Sequence, residues 1–334
     1  MHILRESYRC LQVKILPHIQ KRHRKLFTFG FYALTLQHFI SLNSNARMTV
    51  AKRATAESKI YRLVSNKTML TYFPVLLTHL KIVTSQDTLN VDFSSFCGFE
   101  VLTFAKQTVL GRAIPVYIAA ITYPIENPGS QTIFILETVK EVVRILGFCP
   151  HFVFDRGFEL PYLVSYLVRN HIRFTIRMRK DKHVLYEGKK IPLWNLPWFA
   201  NNCIVHIYGE TLRIVVSEKK QQMEEPWYLL TNDVCHTTDE IIAAYYFRFE
   251  IEETFRDVKH IFALKRFYRI KKKQTFLILL WFYILGIWIM WELPQTELFL
   301  VARTVQNKHK RFSVTRHYYE QLQLYKSYQL SLPL

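Results

Sequence analysis

The fold is decided by the segment HFVFDRGFELPYLVSYLVRNHIRFTIRM at residues 151–178. Its apolar residues 152–154 predict a short buried strand that ends at Asp155. Residues 158–170 predict a helix, and residues 172–178 predict a second strand. This alternation of strand, helix and strand indicates an α/β domain built on a mixed sheet.

The flanking sequence extends this sheet. Apolar runs bounded by turn residues predict strands at residues 89–93, 99–104 and 114–121, followed by a helix at residues 132–146. Residues 183–231 contain short strand patterns, three prolines and no clear helix, which predicts an inserted β subdomain. A strong helix then begins at the capping box Thr237-Thr238-Asp239-Glu240.

The composition argues against several classes of protein. The chain has 334 residues, of which 50% are hydrophobic and 21% are charged, so it can bury a core. Its five cysteines are scattered without a C-x-x-C pair, which argues against a disulfide scaffold or a cysteine-rich zinc site and favours a reducing compartment. The sequence has no glycine-rich phosphate loop, which argues against a P-loop nucleotide site.

The charge indicates a polyanionic partner. Forty-five Lys and Arg against 26 Asp and Glu give a formal net charge of +19, which favours nucleic acid first and an anionic membrane second. Residues 1–80 hold 13 of the basic residues and two Glu, so we predict a helical, basic DNA-binding region at residues 1–84. The basic stretch at residues 47–67 fits either a helix-turn-helix or a solvated helical face.

One apolar segment allows two interpretations. Residues 275–291 contain no charge and follow the basic cluster Lys271-Lys272-Lys273, as a short membrane-spanning helix would. The segment is single, rich in aromatic residues and followed at once by Glu292 and Pro294. We therefore favour a buried core helix over a membrane span.

The helix after Thr237 carries a constellation of polar residues. Tyr245, Arg248, Glu252 and Lys259 share one arc about 60° wide when each residue turns the helix by about 100°. An apolar stripe borders this arc, and the other nearby acids lie on the opposite face. A surface ladder of ion pairs is the simpler explanation of the charges. It does not explain why they border the apolar stripe together with a tyrosine.

Two motifs carry a resemblance to a known family. The spacing Tyr245-x2-Arg248-x3-Glu252-x6-Lys259 resembles the YREK signature of bacterial DDE transposases of the insertion-sequence-four group. The segment Asp155-Arg-Gly-Phe, after an apolar strand, is similar to the second-aspartate motif of that group. The matching motifs and strands extend over roughly residues 87–292.

The resemblance implies three catalytic carboxylates. Asp155 and Glu252 are two of them, and Asp92, in Asp92-Phe-Ser on a predicted strand, is the favoured first aspartate. Asp87, which precedes that strand, is its competitor. Three carboxylates brought together repel one another unless cations hold them, and Mg²⁺ prefers carboxylate oxygens. We therefore expect Asp92, Asp155 and Glu252 to bind Mg²⁺, with Mn²⁺ as a substitute.

The resemblance also implies contacts with double-stranded DNA. Arg248 and Lys259 are expected to bind phosphates, and Tyr245 to do so through its hydroxyl. Trp227, in Trp227-Tyr-Leu-Leu-Thr, is similar to a residue that stacks on a flipped base in hairpin-forming members, with a core position as the alternative. Two basic runs are further candidates for backbone contacts. Their residues are Arg177, Arg179, Lys180, Lys265 and Arg266.

The expected protein is a mixed α/β, ribonuclease-H-like domain at residues 85–292 with a β insertion at about 183–231. A helical DNA-binding region precedes this domain, and residues 293–334 form a tail that is a candidate for subunit contacts. The implied function is Mg²⁺-dependent cut-and-paste DNA transposition, with a hairpin as the favoured cleavage route and another route left open. The resemblance implies a homodimer on paired ends, in the cytoplasm of a bacterium, associated with the nucleoid and not with a membrane. Two alternatives are a non-catalytic DNA-binding protein derived from a transposase and a protein with a single membrane span.

Overall fold

The computed structural model of the protein describes residues 2–36, 41–47, 49, 52–108, 111–124, 129–197, 202–217, 225–261 and 268–292. These residues contain ten strands that join in one mixed sheet. The strands are β1 (Thr88–Phe96), β2 (Phe99–Lys106), β3 (Ile114–Thr122), β4 (His151–Phe154), β5 (Phe174–Met178), β6 (His183–Tyr186), β7 (Lys189–Pro192), β8 (Asn202–Ile207), β9 (Glu210–Val216) and β10 (Tyr228–Thr231).

The described residues also contain ten α-helices. Two π-helical segments, Leu11–Ile15 and Phe31–Thr35, continue the first and second of them. The helices are α1 (His2–Cys10), α2 (Lys21–Gly30), α3 (Leu42–Arg47), α4 (Arg53–Ser65), α5 (Thr68–His79), α6 (Ser130–Leu146), α7 (Pro161–Arg169), α8 (Thr238–Tyr246), α9 (Phe249–Ile261) and α10 (Lys273–Glu292).

The first five strands combine antiparallel and parallel neighbours in one part of the sheet. Their order in the sheet is β3-β2-β1-β4-β5. β1, β2 and β3 form an antiparallel meander, whereas β4 and β5 add parallel to β1. α6 connects β3 to β4, and α7 connects β4 to β5, because a parallel partner requires a crossover to the other end of the sheet. The mixed α/β fold predicted from residues 151–178 is confirmed.

The inserted segment continues the same sheet. β10 pairs antiparallel with β5, and β9, β8, β6 and β7 follow outward in that order. The short strands predicted within residues 183–231 are therefore present, and they extend the central sheet. In this arrangement β10 satisfies the backbone donors and acceptors along the outer edge of β5.

α10 packs against both the sheet and the N-terminal helices. Trp281 stacks on Phe73 of α5 with ring centroids 5.0 Å apart. Further along the helix, Trp288 Nε1 donates a hydrogen bond to Pro115 O in β3 at 2.7 Å. Among the described helices, α10 is the one with the length and composition of a membrane span, and most of it is buried inside the protein. This burial is what the core-helix interpretation of residues 275–291 predicts.

Gly30 marks a close approach of three helices. A Cβ atom at this position would lie 2.7 Å from Leu63 Cδ2 in α4 and 2.7 Å from Phe282 Cζ in α10. Both neighbours are 0% exposed, so neither side chain can move aside without disturbing the core. The packing of α2 on α4 and α10 therefore requires glycine here.

We expect Gly30→Ala to lower the free energy of unfolding. Overpacking of a core typically costs about 1–3 kcal/mol. The gain of alanine over glycine in helix propensity, about 1 kcal/mol, offsets only part of that cost. Urea denaturation measures the difference. Gly157→Ala is the control, because a Cβ atom there meets no atom within 4 Å. A Gly30→Ala variant as stable as the wild type would contradict the close approach.

Candidate active site

Asp92 and Asp155 are brought together by the register of two parallel strands. β1 pairs with β4 so that Val91 lies beside Phe154, the last residue of β4. Asp92 follows Val91 and Asp155 follows Phe154 in the sequence, so the two aspartate side chains start from neighbouring backbone positions. Asp92 is still within β1, whereas Asp155 begins the turn that leads to α7.

The third acid lies on a helix that the sequence did not fully predict. The pattern after Thr237 predicts one continuous helix, but the structure has α8 and α9 separated at Phe247 and Arg248. The capping box at Thr237 is confirmed, with both of its reciprocal hydrogen bonds present. The prediction of one continuous helical arc is therefore wrong. Three of its four residues, Tyr245, Arg248 and Glu252, nevertheless converge.

The break changes the hydrogen bonds of the backbone. In a continuous α-helix, Arg248 N would donate to Ala244 O. Here Arg248 N donates to Tyr245 O at 3.0 Å, and Gln107 Nε2 donates to Ala244 O at 2.6 Å. A side chain at the end of the β1–β2 meander thus takes the place of a helical backbone donor.

Asn90 of β1 binds the other side of the break. Its Nδ2 donates to Phe247 O at 3.0 Å, and its Oδ1 accepts from Gln107 Nε2 at 2.6 Å. Asn90 is fully buried, and asparagine is uncommon in strands. This polar residue in an apolar strand was a signal that sequence reasoning missed, whereas Gln107 offered no comparable signal.

Arg248, in the break, lies among the three acids. Its Nη2 donates to Glu252 Oε1 at 2.7 Å, and its Nη1 lies 3.4 Å from Asp92 Oδ2. Its Nε lies 3.9 Å from Asp155 Oδ1 and has no hydrogen-bond partner among the described residues. The Arg248 side chain is 4% exposed. One buried guanidinium therefore links all three of the predicted catalytic carboxylates.

The acids outnumber the cation that links them. Burial raises the pKa of Asp92 to about 6, against the lowering effect of Arg248 and with the support of the nearby Asp155 carboxylate. Although burial opposes the charge of Arg248, the surrounding tyrosine and carboxylates raise its pKa, so it stays protonated. The cluster therefore has an excess of negative charge whenever its three acids are ionised.

The chemistry of this cluster suits a hard divalent cation. Mg²⁺ and Mn²⁺ prefer carboxylate oxygens, and Asp92, Asp155 and Glu252 offer only such donors. The described residues contain no group of three His, Cys, Asp or Glu side chains arranged to hold a metal ion. Arg248 lies between the acids instead. Metal binding by these acids therefore requires Arg248 to release some of its carboxylate contacts.

Tyr245 is buried beside Asp155, and Trp227 is buried beside Tyr245. The Tyr245 hydroxyl donates to Asp155 Oδ1 at 3.1 Å, and the Trp227 ring packs against the Tyr245 ring with centroids 4.9 Å apart. The two residues are 0% and 7% exposed. For Trp227 this is the core position that was the alternative to base stacking. Contact with a base would require Trp227 to leave this cluster.

Several of the basic residues predicted to contact DNA are paired with acids. Arg177 and Lys180 both contact Glu225 at 3.2 Å. Arg179 lies 3.9 Å from Glu159. These ion pairs reduce the positive charge that the three residues offer to a polyanion, and their contact with DNA stays a prediction.

Lys259 lies apart from this group. Its side chain is exposed, and its ammonium lies 5.3 Å from the ring centroid of Phe96 at the end of β1. It does not join the acids around Arg248, although the sequence pattern placed it on the same arc. Lys265 and Arg266 lie outside the described residues, as do residues 293–334.

Asp87, the competitor for the first aspartate, has other partners. Its Oδ2 accepts a hydrogen bond from Thr84 N at 2.7 Å and lies 3.0 Å from Lys106 Nζ. These contacts secure the chain just before β1. Asp92 instead faces Arg248, so the geometry favours Asp92 as the first aspartate.

Asp92 gives the metal-free protein a pH-dependent stability. Its pKa of about 6 lies above the ordinary 3.8, so the folded protein binds this proton more tightly than the unfolded chain does. The associated stability is present below about pH 4 and is lost as the pH rises through about 6. With a chelator present, we expect the free energy of unfolding of Asp92→Asn to fall by about 1–3 kcal/mol less than that of the wild type as the pH rises from about 4 to above about 6. Urea denaturation at a series of pH values measures the difference.

Asp181→Asn is the control for this experiment. It makes the same change at an acid whose side chain is 58% exposed, so its pH dependence should follow that of the wild type. Parallel stability curves for Asp92→Asn and the wild type would contradict the burial of the Asp92 charge.

Removal of Arg248 should leave the acids without their cation. We expect Arg248→Gln to lower the free energy of unfolding in chelator by about 1–3 kcal/mol, less than the 3–5 typical of a fully buried pair, because these acids are partly exposed. Mg²⁺ should then stabilise this variant more than the wild type, since Arg248 no longer competes for the carboxylates. Thermal unfolding with and without Mg²⁺ measures both effects.

Arg144→Gln removes an arginine that pairs with Glu141 on the surface and is 70% exposed, so it serves as the control. It should respond to Mg²⁺ as the wild type does. If Arg248→Gln gains no more from Mg²⁺ than the wild type, the guanidinium and the metal do not compete.

The comparisons with known proteins gave one family match and similarities to solved structures. Residues 132–292 match the model of a family described as archaeal putative transposase ISC1217. The matched region is slightly less than half of the chain and includes Asp155 and Glu252 but not Asp92. A comparison with curated proteins returned no match.

Among solved structures, the chain is similar to a piggyBac transposase in a synaptic complex with hairpin DNA, determined by cryo-EM. The identity is 12% and the TM-score 0.46, and the similarity covers 92% of this chain and 73% of that chain. Over residues 132–292 the chain is similar to this transposase family, and that region carries two of the three acids around Arg248.

Proposed function

We propose that this protein is a DNA transposase that cleaves the ends of a mobile element and joins them to target DNA. The observation that carries the proposal is the convergence of Asp92, Asp155 and Glu252 on one buried guanidinium. Acids held together against their mutual repulsion are typical of sites built for a cation and for chemistry. The family match at residues 132–292 supports the same class of reaction.

Asp92, Asp155 and Glu252 would together hold Mg²⁺, or Mn²⁺ in its place. Such ions, when bound, supply an activated nucleophile and neutralise charge on the leaving oxygen of a phosphodiester. The acids differ in how far they are exposed to solvent. Asp92 is 19% exposed on the rigid strand β1, whereas Glu252 is 47% exposed on α9. Asp92 therefore forms the buried side of the site, and Glu252 forms the side that is open to a substrate.

Three further residues have separate tasks. Tyr245 orients Asp155 through its hydrogen bond of 3.1 Å. Arg248 balances the charge of the acids in the free protein and binds a DNA phosphate once the acids have another partner. Lys259, exposed beyond Glu252 on α9, binds the DNA backbone.

The positive surface favours approach of DNA along the end of β1. Lys259 lies over Phe96, the last residue of β1. Burial raises the pKa of the thiol of Cys97, the residue after Phe96, and the positive charge of the exposed Lys271 opposes that rise. A backbone that follows these two lysines passes the strand on which Asp92 lies.

We also propose the finer features that the sequence resemblance implies. The reaction follows the cut-and-paste route of the insertion-sequence-four group, whose YREK signature the residues from Tyr245 to Lys259 resemble. A hairpin intermediate is supported by the similarity of the segment that begins at Trp227 to hairpin-forming members. The protein acts as a homodimer on paired ends of double-stranded DNA, in the cytoplasm and in association with the nucleoid.

Glu252→Gln removes one ligand charge and keeps the shape of the side chain. We expect a loss of at least about 100-fold in Mg²⁺-dependent cleavage of DNA that carries the ends of the element, since metal catalysis contributes several kcal/mol. Binding of the same DNA should change by less than about threefold, because no phosphate contact is removed. Gel-shift and cleavage assays on the same preparations measure the two effects.

Glu137→Gln is the matched control, because it makes the same change at a helical acid that is 63% exposed and paired with Lys140. It should keep both activities. Equal losses of binding and cleavage in Glu252→Gln would contradict its role as a metal ligand. If the wild type binds the ends but does not cleave them in the presence of either Mg²⁺ or Mn²⁺, the result would favour the non-catalytic DNA-binding protein.

A further inference from the structure

The orientation of α9 is not determined by that of α8. Because the backbone breaks at Phe247 and Arg248, the direction in which Glu252 points depends on what holds α9 from outside. Glu252 itself is 47% exposed, so its own packing does not fix the helix. Its buried apolar side chains, Ile251, Phe255 and Val258, hold α9 against the core, and polar contacts on the face away from Glu252 hold it from the other side.

That opposite face is bound by the connection between β2 and β3. Arg112 of this connection is 7% exposed, and its Nε lies 2.8 Å from Asp257 Oδ2. Its Nη2 lies 3.4 Å from Glu253 Oε2. The two acids are 13% and 12% exposed, so the three side chains form a nearly buried ion-pair network. Charge-assisted pairs of this kind impose strict geometry because the guanidinium is planar and its donors are fixed.

The backbone of the same connection holds the first turn of α9. Glu250 Oε2 accepts from Thr108 N at 2.7 Å, and Glu250 Oε1 accepts from Gly111 N at 3.1 Å. One turn later, Thr254 Oγ1 donates to Ala113 O at 2.8 Å. Arg112 thus completes a row of contacts along three turns of the helix, on the face away from Glu252.

We propose that Arg112 is a positioning residue for the acid cluster. Through Glu253 and Asp257 it sets the rotation of α9, and that rotation holds Glu252 within reach of Arg248 and of the two aspartates. A helix rotated by one residue moves a side chain by about 100° around the axis, which is enough to remove Glu252 from the site. The effect on cleavage rests on the proposed function, whereas the effect on the position of Glu252 does not.

The test compares Arg112→Gln with Arg256→Gln. Arg256 also contacts Glu253, at 2.7 Å, but it is 63% exposed, so its variant makes the same chemical change outside the buried network. We expect Arg112→Gln to weaken Mn²⁺ binding, measured by titration calorimetry, by about 10- to 100-fold, as is usual when the residue that orients a metal ligand is lost. The Mg²⁺ concentration for half-maximal cleavage should rise in parallel, with DNA affinity unchanged. Arg256→Gln should match the wild type in all three measurements, and Arg112→Lys should restore part of the loss.

Arg112→Gln removes the buried cation that joins Glu253 and Asp257, although Glu253 keeps its contact with Arg256, so this variant is made alongside a neutral version. The triple variant Arg112→Met, Glu253→Gln and Asp257→Asn removes the network without leaving a charge behind. It should fold and show the same loss of Mn²⁺ affinity. Folded variants of either kind with wild-type Mn²⁺ affinity would overturn the proposal.

Crystal structures of the metal-free wild type and the folded variants provide a measurement that is independent of catalysis. Loss of the Arg248–Glu252 contact in the variants is the expected result, and its retention would overturn the proposal. If the wild type neither binds Mn²⁺ nor cleaves DNA, the proposed function fails, and these structures still decide the role of Arg112.

Discussion

The site depends on one buried guanidinium. Arg248 is 4% exposed and lies among three carboxylates that would otherwise repel one another. A buried charge is tolerated only when it is paired, so Arg248 requires the acids as much as they require Arg248. The register of β1 with β4, the break between α8 and α9, and the contacts that hold α9 bring these four side chains to one place.

Strand β1 has two functions in this arrangement. It carries Asp92, and two residues earlier it carries Asn90, which binds the carbonyl of Phe247 in the helix break. Side chains two residues apart lie on the same face of a strand. One strand therefore supplies an acid of the site and, through Asn90, also stabilises the break between α8 and α9 in which Arg248 lies. The two features are coupled because both depend on the position of β1.

The sequence by itself determined the order of most strands and helices, and it predicted the three acids that the structure brings together around Arg248. Residues 151–178 indicate strand, helix and strand because apolar runs and helical periodicity are local properties of a chain. Asp155 at the end of an apolar strand and Glu252 in a spaced motif were predicted from the resemblance of short motifs to a known family, and such motifs are also local. The capping box at Thr237 is also local, and the structure contains both of its hydrogen bonds.

The tertiary structure decided what the acids contact. It breaks the predicted helix at Arg248, places that arginine among the carboxylates and buries Trp227 in the core. Each of these outcomes depends on residues far apart in the sequence, such as Asn90 and Phe247, which are joined by one hydrogen bond. A local pattern predicts a continuous helix because it records only the preferences of neighbouring residues. The long-range hydrogen bonds and ion pairs that stabilise the break form only after the strands and helices pack together.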